Sequence, residues 1–192
     1  MTDKIKQAFA KKNYKWDENF NIVGIRNCAP NVYNKITNIF DDLLTLSYKD
    51  AAGIWQYKEW KATTEAGKKG AEKHRNPKGL AILIPGQYNN TYTIDKHQGK
   101  YEALCQRMRT VSVWRDNNKD LKIDRQTTDI GMFGINIHKA GLDSTWVENW
   151  SEGCQVFKRV KDFDEFMALC KAYRKEHGNL FSYTLLESTD II

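Results

Sequence analysis

No stretch of this sequence approaches the roughly 20 consecutive apolar residues that a spanning helix needs, so no membrane span is expected. The first residues, Met1-Thr2-Asp3-Lys4-Ile5-Lys6-Gln7, lack the apolar core of a secretory signal. Synthesis in the cytoplasm as a soluble protein is therefore the expectation. Cysteine is sparse: Cys28, Cys105, Cys154 and Cys170 include no C-x-x-C pair, which leaves zinc and thioredoxin-like sites unsupported. Free thiols are expected in a reducing compartment. There is no internal repeat and no low-complexity segment. The net charge of +6 comes with no helix-turn-helix, zinc-finger or RNA-binding signature. The one basic stretch, Lys68, Lys69, Lys73, His74, Arg75 and Lys78, fits a solvated loop as well as a phosphate-tracking surface. No nucleic-acid partner is expected.

What is present supports a packed core. Apolar residues make up 41% and aromatics 12%, too many for a disordered chain. A length of 192 residues suits a single domain spanning 1–192, with 1–16 as an N-terminal helical arm carrying Ile5, Ala8 and Phe9. Strands are expected at 20–26, 40–48, 54–62, 80–84, 92–94, 111–115, 133–138 and 181–186, from period-two alternation or short apolar runs. Pro30 breaks the chain after the first of these, and Pro85-Gly86 stops the fourth. Residues 63–79 read as a long polar loop. One late amphipathic helix is predicted at about 162–176, with Asp162 as N-cap, Phe163, Phe166, Met167, Cys170 and Tyr173 on one face, and Gly178 at its end. Many short strands and one late helix give a mostly β fold with helical decoration, a sandwich or a barrel.

The chemistry concentrates between Gly131 and Phe157. A strand delivers His138, a loop follows, and Trp150-Ser151-Glu152-Gly153-Cys154 leads into another strand. A cysteine nucleophile needs an imidazole within reach, because the thiolate is the reactive species. The separation of His138 and Cys154 is too long for one helix face and suits two adjacent strand ends. Gly153 leaves room for a substrate carbonyl, and the N–H groups of Gly153 and Cys154 are placed to meet an oxyanion. Singly, a strand cysteine is more often a small buried hydrophobe and a histidine a structural group. Cys170 and Cys105 read as core.

His138 followed by Ser151-x-Gly153-Cys154 resembles the signature of the L,D-transpeptidase (YkuD-type) family, and Thr63-Thr64-Glu65-Ala66-Gly67 resembles that family's upstream Thr-Pro-x-Gly segment. The resemblance covers the middle and later half of the chain; residues 1–50 match nothing recognised. It implies a β-sandwich or barrel and a cysteine-dependent enzyme acting on the L,D peptide bond of bacterial peptidoglycan through an acyl-enzyme. In that scheme Cys154 is the nucleophile and His138 the base, aided by a backbone carbonyl such as that of Lys139. Ser151 and Gly153 complete the catalytic motif. Two positions depart from the family: Glu152 stands where a second histidine is usual, and Val156 where an arginine is common. A clamp for a substrate carboxylate must then come from elsewhere, with Arg115 or Arg26 as candidates. Lys139, Trp150, Arg115 and His97 are the expected substrate contacts; His97 also reads as an exposed loop histidine.

Hydrolysis is expected over cross-linking. A product without a signal would reach the wall after lysis or by machine-dependent export, as a phage lysis protein or injected antibacterial effector does. The rival reading is a non-catalytic wall-binding module, with a basic nucleic-acid-binding domain behind it. A monomer is assumed. No cofactor is expected, although Asp116, Asn118, Asp120 and Asp124 space oxygen ligands as a calcium loop does. Leu121 stands where that loop needs glycine and Thr127 where it needs a bidentate glutamate, so a plain Asn/Asp-rich turn explains the same residues.

Overall fold

The computed structural model describes residues 1–29, 31–74 and 76–191. Pro30, read above as a strand break, and Arg75, counted in the basic stretch, lie outside the described residues. In chain order the elements are α1 (Thr2–Lys11), β1 (Phe20–Arg26), β2 (Asp42–Lys49), β3 (Trp55–Thr63), α2 (Lys68–Lys73), β4 (Leu80–Leu83) and β5 (Gly86–His97). There follow β6 (Tyr101–Gln106), β7 (Val111–Asp116), β8 (Thr128–Gly131), β9 (Ile137–Lys139), β10 (Gln155–Phe157), α3 (Val160–His177) and β11 (Phe181–Glu187).

Among the described residues, eight strands close a barrel in the order β1-β11-β5-β6-β9-β10-β3-β2. Pairs β1–β11 and β9–β10 are parallel, and the other neighbours antiparallel. Strands β4, β7 and β8 form a second, three-stranded antiparallel sheet. The sequence left sandwich and barrel open; closure decides for the barrel, which removes exposed strand edges.

Both faces of β1 are buried, and each has its own partner. Phe20 and Ile22 join the barrel core, while Val23 and Ile25 pack against Ile5, Ala8 and Phe9 of α1. The N-terminal arm is thus docked on the barrel wall; burying Ile5 and Phe9 contributes about 1.5–3 kcal/mol each. Between them sits Gly24, where a β-carbon would fall 1.9 Å from Tyr183 Oη. Glycine leaves the room in which Tyr183 lies buried and donates to Gln155 Oε1 at 2.8 Å. Helix α3 lays Phe163, Phe166, Met167 and Cys170 into the same core. It begins earlier than expected: Arg159 is its N-cap, and Asp162 sits in the first turn, paired with Arg159 at 2.9 Å. A carboxylate there meets the positive end of the helix dipole.

Other boundaries moved for identifiable reasons. The short strand expected at 92–94 is the middle of the twelve-residue β5, paired with β11 on one side and with β6, which was not expected, on the other. The strand expected at 133–138 is only Ile137–Lys139, because the N–H groups of Phe133, Gly134 and Ile135 all donate to Gln106 Oε1, at 3.1, 2.9 and 3.1 Å. The segment 63–79, read as a loop, carries α2. Leu83, Val111, Val113 and Ile135 tie the outer sheet to the barrel core, and a cavity opens where the two meet. No helix among the described residues is long and apolar enough to cross a membrane.

Candidate active site

Parallel pairing of β9 and β10 sets Gln155 opposite Ile137 and Val156 opposite His138. Side chains alternate along a strand, and Ile137 and Phe157 belong to the barrel core. Asn136, His138, Cys154 and Val156 therefore project to the outer side. Cys154 and His138 line one cavity of about 550 Å³, together with His97, Arg115, Phe133, Trp150 and Glu152. His138 is buried and Cys154 half-buried.

The loop that carries Cys154 is pinned from below. Asn38 Oδ1 accepts the N–H groups of Lys68 and Glu148 at 2.8 and 2.7 Å, and Gly67 N–H donates to Ser151 O at 2.9 Å. The Thr63–Gly67 segment thus lies directly under the cysteine loop. Ser151, read as part of the catalytic motif, is buried and spends its hydroxyl on this loop: it donates to Cys154 O at 2.9 Å and accepts Gly153 N–H at 3.1 Å. That second bond corrects the expected oxyanion role of Gly153, whose N–H is already committed. Glycine is required there for another reason: φ is +132° and a β-carbon would lie 2.0 Å from Ala81 O on β4. The Cys154 N–H donates to no protein group among the described residues and is left as an uncommitted backbone donor beside the thiol.

Hydrogen bonds assign both imidazole tautomers. His138 Nδ1 lies 3.0 Å from Lys139 O, an acceptor only, so Nδ1 carries the proton and Nε2 keeps its lone pair. His97, expected in a polar loop, is the buried last residue of β5 and stacks on His138, with centroids 4.1 Å apart and planes 18° from parallel. Its Nδ1 lies 3.0 Å from Asn136 Nδ2. Asn136 Oδ1 accepts Gln106 N–H at 2.9 Å, which orients the amide and makes its nitrogen the donor to His97. Asn136 also sends its backbone N–H to Cys154 Sγ at 3.4 Å, while the thiol faces Gly134 O at 3.5 Å. No hydrogen bond joins Cys154 to His138 among the described residues. Asn136 and Gln106 were missed at the sequence level. Asn136 had a signal, two residues before His138 on the same strand face; Gln106 had none, because its partners from Phe133 to Asn136 lie 27 to 30 residues away.

Burial, then the neighbouring His97, holds His138 down to about 4, against the pull of the Lys139 carbonyl. Burial pushes Cys154 up to about 11, opposed by the Asn136 N–H and reinforced by Cys105 and Glu152. At neutral pH the resting pair is a thiol and a neutral imidazole.

The remaining candidates separate clearly. Arg115 and Trp150 line the cavity. Lys139 contributes its carbonyl, but its ammonium lies over the rings of Tyr101 and Phe163, at 5.0 and 5.7 Å, away from the cavity. Arg26 is fully buried and donates to Thr64 Oγ1, Leu83 O and Thr64 O, so it is no substrate clamp. In the calcium-like loop, Asp116, Asn118 and Asp120 accept N–H groups of Asn118, Asp124, Asp120 and Lys122, and Asp124 takes the Asn118 amide. These are the bonds of an Asx-rich turn. Among the described residues no group of three or more His, Cys, Asp or Glu side chains is arranged to hold a metal ion.

Compared with known proteins, the chain matches no family model, no curated protein and no solved structure. The functional reading rests on the geometry of the cavity.

Proposed function

We propose that this protein is a cysteine-dependent acyl-transfer enzyme that cleaves the L,D peptide bond of peptidoglycan stem peptides. The observation that carries the reading is the juxtaposition of β9 and the residue leading into β10: a thiol and an imidazole with a free Nε2 lone pair line one cavity. The reaction starts when the thiol turns from Gly134 O toward His138. Sγ attacks the carbonyl carbon, its proton passes to His138 Nε2, and the imidazolium hands that proton to the departing amine as the C–N bond breaks. Water then attacks the thioester, giving a proton to Nε2. The thiol leaves with that proton. The Cys154 N–H is the available oxyanion donor. A neutral resting pair suits a base that acts during attack, since no thiolate has to be stored in a buried site.

Hydrolysis is the preferred outcome, in the setting of a wall-directed lysis protein or an injected effector. The perturbed thiol also gives the non-catalytic wall-binding reading its one support, because a cysteine held near 11 is a poor nucleophile until its proton is removed. Purified peptidoglycan and synthetic stem tetrapeptides, incubated with the protein and analysed by mass, separate the two. Release of the terminal residue by the wild type and none by Cys154→Ala is expected. Intact substrate with retained wall binding moves the protein to the binding module.

A further inference from the structure

We infer that Asn136 is a positioning residue of the proposed reaction: it holds His97 as a neutral imidazole, and through that stacked ring leaves His138 free to take the thiol proton. That role presupposes the acyl-transfer reading above and adds to it a residue that acts through a second imidazole.

Asn136 is buried and spends its polar groups on four neighbours. Its N–H meets Cys154 Sγ at 3.4 Å, and its carbonyl accepts Gln155 N–H at 2.9 Å, which ties the approach to β9 to the cysteine segment. Its side chain reaches two other strands. Oδ1 accepts Gln106 N–H, on β6, at 2.9 Å, and Nδ2 lies 3.0 Å from His97 Nδ1, at the end of β5. The Gln106 bond bars the amide from turning over. His97 Nδ1 is therefore an acceptor, and the ring carries its proton on Nε2.

The stack decides what that tautomer does. The rings of His97 and His138 lie 4.1 Å apart and 18° from parallel. At that separation a charge on one ring opposes a charge on the other. His138 becomes an imidazolium when it takes the thiol proton, so His97 has to be neutral at that moment. An amide satisfies Nδ1 without bringing a charge that would draw a second proton onto the ring. Aspartate, of the same shape, offers only acceptors; it would demand a proton on Nδ1 and favour the imidazolium. The other surroundings of His97 act in the same direction. Burial, then Lys100 and Arg107, lowers its pKa. Asp95, two residues earlier on β5, is engaged by Arg107 at 2.7 Å, and the Tyr101 ring lies 5.6 Å away. His138 has His97 on its face and the Lys139 carbonyl at Nδ1, and it shares the cavity with Cys154, Arg115 and Glu152.

The test follows the imidazole protons and the turnover together. In protein carrying isotope-labelled histidine, NMR near neutral pH should show wild-type His97 as the Nε2–H tautomer with Nδ1 accepting. In N136D the proton should move to Nδ1, the ionisation midpoint of His97 should rise and that of His138 should fall. On a stem tetrapeptide N136D should lower kcat roughly 10-fold or more near neutral pH, with recovery as pH rises through the new His97 midpoint. In an H97F background, which keeps a ring against His138 but no titrating nitrogen, adding N136D should change kcat by less than about twofold. An equal loss in both backgrounds would overturn the positioning role and leave the cysteine mechanism standing, as would an unmoved His97 proton in N136D. A thermal melt checks folding. Should N136D not fold, N136A removes the donor without adding charge and should leave His97 as a mixture of both neutral tautomers; a single unchanged tautomer would overturn the role. A wild type that cleaves no stem peptide removes the reaction and the role together.

Discussion

Two buried polar clusters in this molecule hold strongly perturbed titratable groups, yet only the second lines the cavity described above. In the first, Arg26 is surrounded by Thr64, Asp42 and Glu65, and its donors are spent on Thr64 and Leu83. Thr64 in turn donates its N–H and hydroxyl to Asp42 Oδ2, at 2.8 and 2.7 Å. Burial pushes Asp42 to about 6 and Glu65 to about 8. Glu65 Oε1 lies 3.4 Å from Arg26 Nε but takes no hydrogen bond, since that N–H points to Thr64 Oγ1; this is why burial wins over the ion pair. In the second cluster, burial lowers His138 and His97 and raises Cys154, but these residues line a cavity. A shifted pKa marks burial. A free lone pair beside open space marks chemistry.

The contrast can be broken most forcefully by truncating one member of each cluster. Arg26→Ala leaves Asp42 without its charge partner and should cost about 3–5 kcal/mol of stability, read by urea denaturation. His138→Gln should leave the fold intact and lower kcat by about 10²–10⁴-fold. If Arg26→Ala were silent in stability, or His138→Gln silent in turnover, the division between structural and chemical clusters would fail.

A smaller effect separates a stored thiolate from one made on demand. Alkylation of Cys154 by iodoacetamide, followed by peptide mass mapping, should climb with pH toward about 11. A rate plateau near neutral pH would instead mean a preformed thiolate–imidazolium pair.

The smallest effect sharpens the structural side. Glu65 has a folded pKa of about 8, raised above its ordinary 4.5, so its contribution to stability is complete below pH 4.5 and is lost as pH rises through 8. Asp42, also raised, acts with the same sign up to about 6. His138 is lowered from 6.5 to about 4, so stability rises across that interval and the three effects overlap there. Between pH 6.5 and 8, among these groups Glu65 acts alone. Wild-type stability should fall across that window, and Glu65→Gln should flatten the fall by about 1–3 kcal/mol, measured by denaturation at several pH values.

Much of the fold was legible in local pattern. The alternation in β1, β2 and β3 and the apolar face of α3 are short-range signals, and each element lies within a few residues of its expected place. The Cys154–His138 spacing was legible too, because parallel neighbours joined by a loop need such a separation. The part that failed was long-range. Phe133–Ile135 looks like a strand until Gln106 captures its N–H groups. Gly153 looks like a substrate-facing glycine until β4 brings Ala81 against it. His97 looks like an exposed loop residue until β5 pairs with β6 and carries it over His138.

The sequence by itself determined which segments extend or coil, that one thiol follows one imidazole at strand spacing, and that no long apolar helix is encoded. Those properties depend on neighbours a few positions apart. Barrel closure, the stacking of His97, the commitment of Ser151 and Gly153 to the loop, and the arrival of Arg115 at the cavity were decided only in three dimensions. Each depends on groups tens of residues apart competing for the same donors, acceptors and space, and that competition is settled when the strands pair.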